Sequence, residues 1–168
     1  MIREILQNVN LFIDGRGQAG QIEEYTLPKI SVVMMEIGAG GMGGTIDVPM
    51  AQIEKMETEF TLNSVGGDTY KLLTVVNGAT IPVTARAVAQ DDDGTKHAFV
   101  ARMRGIVKEP DQGSWKRGGD AKQKVAMTLR SYQLLRDGEE LFYADPVNMV
   151  MRVNGIDQLA LDRAILGV

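Results

Sequence analysis

A chain of 168 residues, 44% hydrophobic and 24% charged, has the size and balance of one domain with a real core. A formal charge of −4 opposes bulk attraction to nucleic acid, and the absence of cysteine removes disulfides, thiolate metal sites and cysteine nucleophiles. A single histidine leaves no multi-histidine metal centre, and the longest apolar runs are far too short to span a bilayer, so neither a metal nor membrane insertion is expected.

The start, "MIREILQNVNLFIDG", spreads polar residues through its apolar ones and shows no secretory apolar segment, so folding in a cytoplasm is expected. Residues 1 to about 8 are read as a flexible arm on a single domain of residues 1–168. "FIDGRGQAG" (Phe12 to Gly20) reads as a hairpin connection. An apolar run, Ile30 to Met35, then precedes "IGAGGMGGTIDVP", residues 37–49, in which Gly38 to Gly43 satisfy the spacing G-x-G-x-x-G. A dinucleotide loop must open a helix whose N-terminus holds the pyrophosphate. Here Thr45, Ile46, Asp47, Val48 and Pro49 follow, which are β-branched or proline and resist a helix. The stretch reads instead as a long loop between two strands, costly to order alone, with Met42 as its one adaptable apolar contact. That points to assembly.

From Met56 onward the pattern is antiparallel β. Met56, Phe60 and Leu62 alternate with Glu57, Glu59 and Thr61. One helix interrupts, over about residues 68–77, with Asp68 as N-cap, Gly78 just past its end, and Leu72, Leu73, Val75 and Val76 on one arc. "QDDDG" is a hairpin tip with Gly94 at positive φ; it lacks the D-x-D-x-D-G spacing and the later Glu of a calcium loop. Phe99, Ala101, Met103 and Val107 then alternate with Val100, Arg102, Arg104 and Lys108, and His97 is read as a strand residue rather than a catalytic base. "GSWKRGGDAKQK" sets Trp115 among basic residues, but Glu109, Asp111 and Asp120 interrupt any basic stripe, so a surface or subunit-interface loop is expected. Val125, Met127 and Leu129 face one way, and after Ser131 the parity changes so that Tyr132 and Leu134 point inward. A bulge or a strand passing between sheets would do this, and two kinked strands are the alternative. "RDGEE" joins the next pair. A short second helix after Asp157 is compatible with "GIDQLALDRAIL", whose apolar residues fall on no single face.

No hydrolase G-x-S-x-G and no P-loop are present, so the chain reads as a non-enzymatic building block without cofactors. Six phrases in order sharpen this: "NLFIDG", "TLPKI", "GAGGM", "MRGIVKEPDQGSWKRG", "RDGEELFYADPVN" and "VNGIDQLA". Together, over about Asn8 to Val168, they resemble the tail tube proteins of contractile-tailed bacteriophages and of the related R-type pyocins. The resemblance implies a mainly β fold: an antiparallel β-sandwich or barrel-like domain with one flanking helix, related to the ring protein of type VI secretion systems. It implies hexameric rings stacking into a hollow tube inside a contractile sheath, assembled in the bacterial host cytoplasm and carried in the virion. Its implied partners are further copies of itself, the tail sheath protein, a baseplate initiator, a tail terminator and a tape-measure protein, with DNA passing through an acidic or neutral lumen without specific binding.

On that resemblance, Gly38, Gly40, Gly41, Met42, Gly43 and Gly44 form an assembly loop that orders on stacking against the adjoining ring. Leu11, Phe12, Trp115, Val147, Asn148 and Asn154 are the other expected assembly contacts. The tube of a headless contractile bacteriocin and a secretion-system ring protein stay open beside the phage tube. A nucleotide-binding enzyme built on Gly38 to Gly43 is the reading from another class.

Overall fold

Asx-Gly pairs set the frame. β1 (Glu4–Ile13) turns into the short β2 (Arg16–Gly17) through Asp14 and Gly15, whose φ angles of 49° and 76° are those of a type I′ turn. The same geometry recurs at Asp137–Gly138, between β9 (Gln123–Arg136) and β10 (Glu139–Asp145). It occurs again at Asn154–Gly155, between β11 (Val150–Val153) and β12 (Ile156–Asp157). The computed structural model describes residues 3–64, 66–74 and 78–168. The remaining strands are β3 (Ile22–Thr26), β4 (Val32–Ile37), β5 (Ile46–Ile53), β6 (Met56–Leu62), β7 (Ile81–Asp91) and β8 (Lys96–Asp111).

The large sheet runs β12-β11-β10-β9-β8-β7-β1-β2, all antiparallel, with β6 and then β3 added on β9. Two long strands, β8 and β9, serve two leaves. Residues Gln123–Leu129 of β9 pair with β6, whereas Tyr132–Arg136 pair with β10 on the same edge. Between these halves the register to β8 shifts: Arg104 faces Ser131, but Gly105 faces Leu129. Arg130 is the extra residue, and the parity change expected near Ser131 is therefore a bulge within one continuous strand. Gly105 lies where the strands crowd together: a Cβ there would overlap the Thr128 carbonyl oxygen and meet Leu129 Cα at 3.0 Å.

The bend folds the two leaves over one core. Leu11, Ile13, Val83, Ala101, Met103 and Tyr132 come from one leaf, and Met56, Phe60, Leu62, Val107, Val125 and Met127 from the other. The inward faces predicted for the strands beginning at Met56, Lys96 and Gln123 are the buried ones, with Phe99 and Leu134 only partly buried at their ends. Tyr25 stacks on Phe60 at 6.3 Å, and burial pushes its hydroxyl pKa far up. Thr58, buried beside it, donates to the Thr26 carbonyl at 2.6 Å, as a polar side chain in such a core must.

Helix α1 (Gly67–Leu72) exists where expected but is shorter and displaced. Its N-cap is Gly66 rather than Asp68, which sits in the first turn near Arg16 and Lys71. The helix ends at Leu72 with Leu73 as C-cap, not at Gly78, and the β-branched Thr74 and Val75 that follow disfavour continuation. Leu73 is fully buried and Leu72 packs on the core, while Val75 and Val76 of the expected arc lie outside the described residues. Buried Gln18 ties α1 to the first hairpin: its N–H donates to the Leu11 carbonyl and its Nε2 to Thr69 Oγ1 at 3.2 Å.

The second helix, α2 (Ala160–Leu166), follows Asp157 as the sequence suggests and closes on Gly167 at φ 74°. Asp157 anchors it, accepting from the Leu159 N–H at 3.0 Å and from Arg163 at 2.5 Å. None of its residues is buried. No helix among the described residues is long and apolar enough to cross a membrane.

Candidate assembly surface

Strands β4 and β5 form a two-stranded sheet of their own, apart from the large one. Its register sets Met35 opposite Val48 and Ile37 opposite Ile46, so these four side chains share one face. The other face carries Met34 opposite Pro49 and Glu36 opposite Asp47. Val32, Met34, Met35, Ile37, Ile46 and Met50 are all exposed, as is Met42 at the tip. A lone hairpin is marginal in water even when its faces suit it. This one exposes its apolar side chains and sets two carboxylates directly against each other, which opposes the pairing.

The tip is the Gly-rich stretch. Gly38, Gly40, Gly41, Met42, Gly43 and Gly44 lie together between β4 and β5, and β5 leaves the loop where a phosphate-binding helix would have to begin. Gly41, at φ 88°, needs a conformation that side chains rarely adopt, and the Met42 N–H closes the turn on the Ala39 carbonyl at 3.1 Å. At the hairpin base, Ile53 packs on the core. A groove of about 310 Å³ separates Ala51–Ile53 from Pro146, Met149–Met151 and Leu159.

The other expected contacts are scattered. Val147, 70% exposed, and Asn148 form the turn between β10 and β11, where Asn148 bonds Asp145. Trp115 is 83% exposed on the loop between β8 and β9, so its ring is left largely uncovered by the described residues. Asn154 is a turn residue at φ 52°. Phe12 is half-buried, with the Arg86 guanidinium 5.6 Å from its ring centroid. Leu11 departs from expectation: it is 0% exposed in the core and presents no surface to a neighbour. The arm expected over residues 1–8 is, from Glu4 onward, the outer end of β1 paired with β7. Because β2 pairs only with Phe12 and Ile13, the outer edge of β1 over Glu4–Asn10 has no strand partner among the described residues.

Two polar clusters escaped sequence reasoning. Glu140 accepts from Arg152 through both carboxylate oxygens, at 2.8 and 3.3 Å, and from Gln133 at 2.6 Å, which joins β9, β10 and β11. The Arg152 bonds, foremost, hold the Glu140 pKa below its usual value. The second cluster gathers around His97. Its Nδ1 lies 2.8 Å from Asp137 Oδ2 and its Nε2 3.1 Å from Asp91 Oδ2, and these bonds, Asp137 first, raise its pKa. Asp91 belongs to the stretch read as a hairpin tip, yet its side chain is only 8% exposed. No contiguous motif signals this cluster, because Asp137 joins the β7–β8 hairpin only through the pairing of β8 with β9.

A family model described as phage tail tube protein FII matches residues 3–167. The chain is 30% identical over 166 residues to the tail tube protein of Escherichia phage P2, spanning 97% of this chain and 96% of that protein. It is 27% identical over 151 residues to the major tail tube protein of Serratia phage KSP20, spanning 89% and 87%. Among solved structures, its fold is similar to the sheath/tube terminator of PVC, an extracellular contractile injection system, in the extended state. That likeness has a TM-score of 0.56 at 12% identity, over 76% of this chain and 92% of that one.

Proposed function

The chain belongs to the phage tail tube protein FII family, a structural family, and from that premise we propose that it forms hexameric rings which stack into the hollow tube of a contractile tail. The β4–β5 hairpin carries this reading: an isolated apolar hairpin becomes stable when a neighbouring ring covers it. Its Gly-rich tip supplies the freedom to fit that neighbour, and the unpaired edge of β1 offers a second junction, between subunits within a ring. Sheath, terminator, baseplate initiator and tape-measure protein are the partners such a tube requires. DNA passes along its lumen without specific contacts. The chain performs no catalysis in this role, and its place is the virion tail, after assembly in the host cytoplasm.

The test is a double substitution on the apolar face, Met35→Asp with Ile46→Asp. Both side chains are exposed, so the monomer should keep its circular dichroism spectrum and melt within a few degrees of the parent. Negative-stain microscopy at high concentration should show tubes or stacked rings for the parent and none for the variant. Tubes of ordinary length from the variant would refute stacking through this face.

A further inference from the structure

Glu4 on β1, Asp91 at the end of β7 and His97 on β8 place one ligand-capable atom each within 4.8 Å of one another. Asp137, in the β9–β10 turn, braces the imidazole from behind at 2.8 Å and is itself held by the Ala98 N–H at 2.8 Å. With Nδ1 donating to Asp137, the lone pair of Nε2 faces Asp91 Oδ2 across 3.1 Å. Two lone pairs at that distance need a positive centre between them. A proton would serve these two atoms alone, but two observations ask for more. Asp91 Oδ1 is buried without a hydrogen-bond partner, and a Glu4 carboxylate oxygen lies within 4.8 Å of the ligand atoms of both Asp91 and His97.

We propose that Glu4, Asp91 and His97 form a binding site for a divalent metal ion of the zinc class. Zinc held by nitrogen and oxygen ligands at about 2.0–2.1 Å sets neighbouring ligand atoms roughly 3.3 Å apart, close to the Nε2–Oδ2 separation present. A metal ion can also take a carboxylate through both oxygens, which would satisfy Asp91 Oδ1. Asp137 then plays the orienting part that a carboxylate behind a ligating histidine commonly plays, fixing tautomer and ring plane. Charge agrees. The carboxylates of Glu4, Asp91 and Asp137 face one guanidinium, that of Arg136, so that once the imidazole gives up its Nε2 proton to ligate, two negative charges remain for the ion. Arg136 donates to Glu4 Oε1 at 3.3 Å, with its guanidinium over the Phe99 ring, so the ion would share the Glu4 carboxylate with that guanidinium. Asp93, near enough to interact with His97, adds to the negative field. The ion would tie the outer end of β1 to the β7–β8 hairpin.

Zinc chloride titrated calorimetrically into the chelator-treated full chain should reveal one saturable site and raise the melting temperature. His97→Gln and Asp91→Asn should each weaken it more than about 100-fold, a larger loss than the roughly 10- to 100-fold expected of the orienting partner in Asp137→Asn. Nitrogen-15 spectra should show His97 Nε2 shifting on zinc addition while Nδ1 keeps its proton. Three results would each overturn the proposal: no saturable binding at millimolar zinc; unchanged affinity in folded His97→Gln and Asp91→Asn; or an Nε2 that stays protonated with zinc present.

Discussion

Leu11 and Phe12 are neighbours on β1 with opposite surroundings: Leu11 is sealed in the core, while Phe12 lies half-open beneath Arg86. Leu11→Ala should therefore cost about 2–5 kcal/mol of monomer stability in denaturant titrations, as core truncations do, with no defect peculiar to assembly. Gly105→Ala should cost at least about 2 kcal/mol, because the added methyl meets backbone that cannot yield as a side chain could. Glu140 carries a pH dependence. Its pKa is depressed in the folded chain, so its contribution is complete above its ordinary value of 4.5 and fades as pH falls through the lower folded value. Melting temperature followed from pH 7 towards 3 should drop in that window, and Glu140→Gln should flatten the drop. At this scale the sequence is legible where alternation is strict. Tyr132 could be placed inward because parity flips around Arg130, whereas His97 and Asp137, forty residues apart, owe their meeting to a β8–β9 register that no local pattern encodes.

Among the elements, those with turn chemistry or strict alternation were foreseeable. The Asp-Gly pairs at 14–15 and 137–138 announced their hairpins, and Asn154–Gly155 carries the same signal, although the residues around it read first as an assembly contact. Helix α1 was foreseeable in place but not in length, since its N-cap makes no side-chain hydrogen bond and tertiary packing of Leu73 helps fix its end. The β4–β5 hairpin was half legible. A loop between strands followed from Thr45 to Pro49, but a sheet standing apart from the main one does not follow from composition. Glu36 and Asp47, directly opposed in that hairpin, supply an element-scale prediction. Asp47→Asn should stabilise the free hairpin by a few tenths of a kcal/mol, read as slower amide exchange along β4 and β5 in the monomer.

For the whole molecule, one folded-over sheet accounts for the core, and what that sheet leaves uncovered accounts for the function. The hairpin, the unpaired edge of β1, exposed Trp115 and the apolar side of α2 at Leu161 and Ile165 are surfaces a solitary subunit has no use for. Their dispersal over several elements suits a subunit with neighbours beside and above it better than one built for a single partner. The most direct test is a helical reconstruction by electron cryo-microscopy of tubes grown from the purified chain, with the baseplate initiator added as a seed. The account predicts six subunits per ring, with Met35, Ile37, Ile46 and Val48 buried against the adjoining ring and the Gly38–Gly44 tip ordered there. A tube in which this hairpin projects into solvent, or a chain that stays monomeric with the initiator present, would contradict it.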